Sequence, residues 1–218
     1  MADNNDNKFI EGVAAPLPIA NLDTDQIMPK QFLKRIDKAG LAEGLLYDLR
    51  FDAQGRARPG CVLNQPAYAG TSLLIGAANF GCGSSREHAV WGLQQYGIKA
   101  VIAPSFGEIF YGNAMNNQLL LVVLDAADVQ RFMADAADPD NNRIAIDIAT
   151  MTVRSPRHQA GFTLSERQRR MFLEGLDVIG ATLANRAEID AYTAAHWQKR
   201  PWLKGVAQLT RERLGHTG

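Results

Sequence analysis

One stretch constrains this chain more than any other. Residues 79–89 read Asn-Phe-Gly-Cys-Gly-Ser-Ser-Arg-Glu-His-Ala and separate an apolar run from an amphipathic one. Residues 71–80 read as a buried strand bounded by Gly70 and Gly81. Residues 86–96 read as a helix closed by Gly97, and 98–104 as a second apolar strand. Strand, glycine loop, helix and strand make a βαβ unit, which requires parallel strands and a right-handed crossover. Ligands of such sheets collect at the carboxyl ends of the strands, where this loop falls.

The loop's chemistry suits an anion. Glycines let the backbone turn tightly and approach a ligand. A helix start offers free N–H groups and a positive dipole end. Arg86 adds a planar fork that can hold a carboxylate through two hydrogen bonds. Ser84-x-x-Glu87 is also a capping box, which needs no ligand. The two readings are compatible, since one serine can cap while the other faces a pocket. A P-loop is excluded because its lysine and Ser/Thr pair are missing. The G-x-S-x-G elbow and the dinucleotide fingerprint are missing too. His88 is too close along the same helix to act as a triad base for Ser84. A serine acting as a general base instead would need cationic and N–H surroundings to stabilise its alkoxide.

The rest of the chain fits one α/β domain with appendages. Residues 118–124 look like a buried strand and 127–137 like an amphipathic helix. Residues 143–155 alternate apolar and polar, as strands with a hairpin near Thr150 would. A helical stretch covers about 165–195, interrupted near Gly175 and Gly180. Residues 34–61 are glycine-rich, charged and aperiodic, and a loop that long is usually functional or mobile. The domain is expected over 1–196, with 197–218 a polar, basic tail that either docks, frays or serves as a partner-binding arm.

Composition removes several function classes. The formal net charge is +0, so nothing offers the basic stripe of a nucleic-acid binder. No run approaches the roughly 18 apolar residues of a membrane span, and the polar opening residues are unlike a signal peptide. A cytoplasmic setting is the default for two cysteines, Cys61 and Cys82, that cannot make a disulfide framework. No histidine sits at a metal-ligand spacing with a cysteine or another histidine, so no metal site is expected in this chain.

The stretch NFGCGSSREHA resembles the signature of the small subunit of 3-isopropylmalate dehydratase, and equally of the aconitase swivel domain. Three further segments resemble the family in order. They are Asn21-Leu22-Asp23-Thr24-Asp25-Gln26-Ile27-Met28-Pro29, then Ile102-Ala103-Pro104-Ser105-Phe106 with Phe110-Tyr111-Gly112-Asn113, then residues 171–180, MFLEGLDVIG. The likeness spans roughly residues 8–192. It implies a three-layer β/β/α swivelling domain with a mostly parallel sheet core. It also implies a heterodimer with a large subunit that carries a [4Fe–4S] cluster on its own cysteines, and a dicarboxylic hydroxy-acid as substrate.

The resemblance also implies roles. Ser84 would remove the proton from carbon, Arg86 would bind a substrate carboxylate, and the N–H groups of Ser84 and Ser85 beside Gly83 would assist. Asp25 matches an acidic residue of the family's active-site network, although Asp23-Thr24-Asp25 could equally be a turn. Residues 47–51, YDLRF, resemble a substrate-recognition loop in which Arg50 would add a carboxylate contact and Leu49 would face an alkyl group. Cys82 reads as a small buried residue and His88 as a hydrogen-bonded helix-face histidine. Two positions depart from the pattern. Val90 stands where a proline is usual, and Leu119-Leu120-Leu121 where a glycine- and proline-containing turn is common. These departures keep open a paralogue acting on a methyl- or dimethyl-substituted malate. A non-catalytic anion-binding module and a serine hydrolase are the other readings.

Overall fold

A computed structural model describes residues 9–33 and 40–215 of the chain. The chain divides into two compact units, Met1–Asp177 and Val178–Gly218.

The first unit is organised by one seven-stranded sheet. Its strands are β1 (Phe9–Leu17), β2 (Leu73–Gly76), β3 (Ala100–Ala103), β4 (Leu120–Val123), β5 (Arg143–Asp147), β6 (Thr152–Arg154) and β7 (Gln159–Gly161), in the spatial order β4-β3-β2-β1-β5-β6-β7. The first four run parallel, and β5, β6 and β7 extend the sheet antiparallel from β1. β1 serves both halves. Its residues 14–17 pair with β2, while residues 9–13 pair with β5. β2 (LLIG) and β3 (AVIA) are buried at every residue, the continuous apolar run that a parallel strand covered on both faces requires.

Among the described residues six α-helices complete this unit: α1 (Thr24–Ile27), α2 (Tyr47–Arg50), α3 (Glu87–Tyr96), α4 (Glu108–Asn116), α5 (Ala126–Ala137) and α6 (Glu166–Glu174). α5 lays Val129 and Phe132 across β1, β2 and β3. α3 buries Ala89, Val90 and Leu93 and packs on α4 and α1. The expected hairpin near Thr150 joins β5 to β6. Gly97 and Gly175, both left-handed, end α3 and α6 as expected. The apolar 71–80 run yields only four strand residues, because the backbone after Gly76 turns into the loop described below. β1 and α4 add elements that periodicity does not announce.

The second unit holds α7 (Val178–Leu183), α8 (Arg186–Lys199) and α9 (Val206–Arg213). Gly180 lies inside α7 rather than interrupting the helix. The expected tail boundary at 196/197 falls within α8, a continuous helix, whereas the break in packing comes after Asp177. Part of the aperiodic 34–61 segment, residues 34–39, lies outside the described residues, as do 216–218 of the tail.

The β5–β6 turn carries a pH dependence. Asp147 Oδ1 accepts from the N–H groups of Ala149 (2.8 Å) and Thr150 (3.1 Å). The Thr150 N–H foremost, then its hydroxyl, the Ala149 N–H and the Arg154 charge, hold this carboxyl below its ordinary 3.8 against the opposing effect of partial burial. A depressed folded value stabilises the fold fully above the unfolded pKa, and that stabilisation is lost as pH falls through the folded one. Asp147→Asn should therefore flatten the acid limb of a stability-against-pH curve below about pH 4; superimposable curves would remove Asp147 as a contributor.

Candidate active site

The signature loop continues the parallel sheet past the ends of its strands. On one side Asn21 N–H donates to Ala78 O (2.9 Å), Gly81 N–H to Leu22 O (2.8 Å) and Thr24 N–H to Cys82 O (2.8 Å). On the other side Phe80 N–H donates to Ser105 O (3.0 Å) and Gly107 N–H to Phe80 O (2.9 Å). Both contacts are parallel bridges, Asp23 with Cys82 and Phe80 with Phe106. The segments following β1, β2 and β3 thus keep the order of the strands they leave. Three of the four sequence motifs meet here, at the carboxyl ends of parallel strands.

Side chains lock the loop in place. Phe80 is fully buried, with the rings of Phe110 and Phe106 at 5.7 and 6.1 Å. Gly81 has φ +73°, and a Cβ there would collide with the Phe110 ring. Asn79 N–H donates to Ser105 Oγ, and Asn79 Nδ2 to Asn21 Oδ1, both at 2.9 Å. Cys82 is half-buried, with its thiol 3.2 Å from Asn21 O. Burial raises the Tyr111 phenol above its ordinary 10.0 despite a hydrogen bond from Gln168, so Tyr111 is a neutral ring, its centroid 6.2 Å from that of Phe106.

The loop's polar end is built on α1. Asp23 caps this helix: its Oδ1 accepts from Asp25 N–H (2.7 Å), while its own N–H donates to Gln26 Oε1 (3.0 Å). Gly83 has φ +92° and lies so close to the Asp23 carboxylate that a Cβ would overlap it. Thr24, 1% exposed, donates its hydroxyl to Ser84 O (3.0 Å). Asp25 projects from α1 to form an ion pair with Arg86 Nη1, and Lys30 Nζ stands 3.8 Å from its other oxygen. Asp25 Oδ1 and Arg86 Nη1 have no further protein hydrogen bond among the described residues. One arm of the guanidinium is thereby fixed, which leaves the remainder of the fork to a ligand.

The capping box at Ser84 does not form. Helix α3 begins at Glu87, with Arg86 as its N-cap and no side-chain cap bond. The two positive-φ glycines keep the chain turning through 84–86, and the Ser84 carbonyl is already taken by Thr24 and by Arg86 N–H (2.8 Å). Gly83, Ser84 and Ser85 are exposed, beside a helix start that no side chain caps. Glu87 ties this end of α3 to α4: its Oε1 accepts from Asn117 Nδ2 (2.6 Å), and Asn117 Oδ1 accepts from Trp91 Nε1 (3.0 Å). The His88 ring packs at 4.9 Å from Trp91.

The structure therefore brings Ser84, Ser85, Gly83, Arg86 and Asp25 together. Arg50 and Leu49 lie on α2, which packs on α1, and among the described residues neither shares a hydrogen bond or ion pair with Ser84, Arg86 or Asp25. The Arg50 guanidinium donates to Leu45 O (3.2 Å) and Asn64 Oδ1 (3.4 Å), and it lies over the Phe51 and Tyr96 rings at 4.9 and 5.0 Å. Leu49 lines a largely apolar groove of about 660 Å³ with Pro16, Ile19, Pro59, Cys61 and Val62. Sequence reasoning missed Thr24 and the capping role of Asp23. The Asp23-x-x-Gln26 spacing is a signal for the second, and nothing local signals the first. Among the described residues no group of three or more His, Cys, Asp or Glu side chains could hold a metal ion, and both cysteines are free thiols.

Fold and site together define the class: a swivel-type domain of the aconitase kind, and residues 6–127 match the aconitase C-terminal domain family model. Residues 179–206 match a second model, that of the C-terminal domain of the 3-isopropylmalate dehydratase small subunit. A small subunit of 3-isopropylmalate dehydratase from Chromobacterium violaceum is 68% identical over 205 residues, covering 94% of this chain and 97% of that one. The corresponding protein of Phenylobacterium zucineum is 50% identical over 198 residues, covering 90% and 97%. A crystal structure of 3-isopropylmalate dehydratase from Methanocaldococcus jannaschii superimposes with a TM-score of 0.60 at 25% identity, over 85% of this chain and 99% of that chain. The chain belongs to the family of 3-isopropylmalate dehydratase small subunits.

The Gly83–Asp23 approach is open to test. Gly83→Ala puts a Cβ into the Asp23 carboxylate at a φ that L-residues rarely adopt. It should lower unfolding stability by about 1–3 kcal/mol, read from urea denaturation. A variant as stable as the parent would show that the loop is not held as described.

Proposed function

We propose that this chain is the small subunit of a two-chain hydro-lyase that converts 2-isopropylmalate to 3-isopropylmalate in leucine biosynthesis. The observation that carries the chemistry is the placement of Ser84 beside Arg86 on an exposed loop at the strand ends, with Arg86 held by Asp25. In this reading Ser84, as alkoxide, removes the proton from the carbon beside the hydroxyl-bearing carbon. Hydroxide leaves, an alkene forms, and water adds back with the hydroxyl on the other carbon. An unperturbed serine is a very weak acid, so its alkoxide needs nearby positive charge and N–H donors. Arg86, the N–H groups of Ser84 and Ser85 and the uncapped start of α3 are of that kind. The Arg86 fork binds a substrate carboxylate, and Asp25 fixes the direction in which it points. Arg50 holds Asn64 through Nε and the Leu45 carbonyl through Nη1, which leaves Nη2 for a second carboxylate. Leu49 and its groove offer an apolar wall for the isopropyl group.

The reading assigns the [4Fe–4S] cluster to the large subunit, where it supplies Lewis-acid chemistry toward the substrate hydroxyl. This chain contributes the base, the carboxylate clamp and the closing wall. The two departures from the family pattern do not bear on the substrate. Val90 is fully buried in the packed face of α3, and Leu119, Leu120 and Leu121 are buried at the entrance to β4. Both are core substitutions, and the paralogue acting on a smaller malate is not favoured. A cytoplasmic setting suits the reading, and no helix among the described residues is long and apolar enough to cross a membrane.

The isolated chain should be colourless and inactive. Assembled anaerobically with its large subunit, it should interconvert the two isopropylmalates. Ser84→Ala should then cut kcat by about 10²–10⁴-fold while assembly survives, because Ser84 is exposed and packs no core. Undiminished turnover in that variant would falsify the base assignment.

A further inference from the structure

Beyond Asp177 the chain goes on forming helices but stops burying side chains. α7, α8, α9 and the short turn Pro201–Leu203 contain no buried residue. Among the described residues, nine of the twelve exposed large hydrophobic side chains fall in this stretch. They recur at helical spacing: Ile179 with Leu183 on α7, Ile189 with Tyr192 on α8. Trp202, Val206 and Leu209 line a groove of about 530 Å³. Helices this short are marginal in water by propensity alone and need a packing partner. An apolar surface concentrated in one segment marks a binding face.

Resting on the two-chain reading above, we infer that residues 178–215 form the arm by which the small subunit docks on the large one, with these side chains seated in an apolar groove rimmed by acidic residues. Two observations select this occupant. The aconitase-type match ends at residue 127, whereas 179–206 match a domain described for the 3-isopropylmalate dehydratase small subunit. A domain within a longer chain meets its counterpart at an effective concentration set by the linker. A separate subunit has no linker and must bury additional surface to stay bound. Residues 178–218 also carry six Lys and Arg against three Asp and Glu, a net of +3. Two such arms repel each other, which disfavours a second copy and favours an acidic rim.

The test uses the full-length chain with Tyr192→Glu and Leu209→Glu, singly and together, and Val123→Glu, at an exposed apolar site of the first unit, as control. Sedimentation velocity and titration give the Kd for the large subunit, and thermal unfolding of the isolated chain reports its own packing. Each arm variant should weaken Kd at least about tenfold, with the unfolding midpoint unchanged and kcat restored at saturating large subunit. The control should bind as the parent does. Unchanged Kd in the double variant overturns the inference. So does a lowered midpoint in the isolated chain, which would place the arm on its own body. A dimer of the parent chain that the variants dissolve would assign the arm to a second copy and overturn it equally. If the parent itself fails to bind the large subunit, the two-chain reading falls, and that outcome is visible without any variant.

Discussion

Everything the site does depends on a main-chain contact that no functional side chain makes. Residues 78–82 lie between 21–24 and 105–107, hydrogen-bonded to both in the parallel sense of the sheet below. Remove either flank and Ser84 and Arg86 sit on a free glycine loop. With both in place, the backbone from Phe80 to Cys82 has as little freedom as a strand, yet Gly83, Ser84 and Ser85 remain exposed. Catalytic groups need positions fixed within a fraction of an ångström on rigid support. Here the support is a sheet extended past its own strands, anchored underneath by Phe80 against Phe106 and Phe110.

The same contact explains the pairing of Asp25 with Arg86. Asp25 reaches Arg86 because Asp23 caps α1 while it bridges to Cys82, so one residue sets both the helix and its distance from the loop. Thr24 completes the join through the Ser84 carbonyl. The motif around residues 21–29 is thus the second wall of the site, contributed by the segment that follows β1. β1 is in turn the strand shared by the parallel and antiparallel halves of the sheet.

Much of this was legible in the sequence, for reasons that differ by element. The βαβ unit showed itself because its strands are unbroken apolar runs and its helix ends on Gly97. β1 was not legible. Its residues FIEGVAAPL include a glycine, small alanines and Pro16, and its burial follows neither alternation nor a continuous run because it changes partner midway. The capping box at Ser84 misled because a local pattern cannot register a competing tertiary bond: Thr24, sixty residues away in sequence, holds the Ser84 carbonyl. Arg50 was legible as a cation in a loop but not as one that stacks between Phe51 and Tyr96. The role of base proposed for Ser84 rests on resemblance, since spacing alone describes only an anion-binding turn.

The central claim is that Asp25 and Arg86 act as one unit that aims the carboxylate clamp beside Ser84. A double-mutant cycle on the assembled enzyme measures this directly, using Asp25→Asn, Arg86→Gln and both together, with kcat/KM for 2-isopropylmalate as the readout. If the pair is one unit, the double variant should be about as impaired as the worse single variant. Losses that multiply, with no coupling between the two positions, would mean that the ion pair is incidental and that the clamp is aimed by something else.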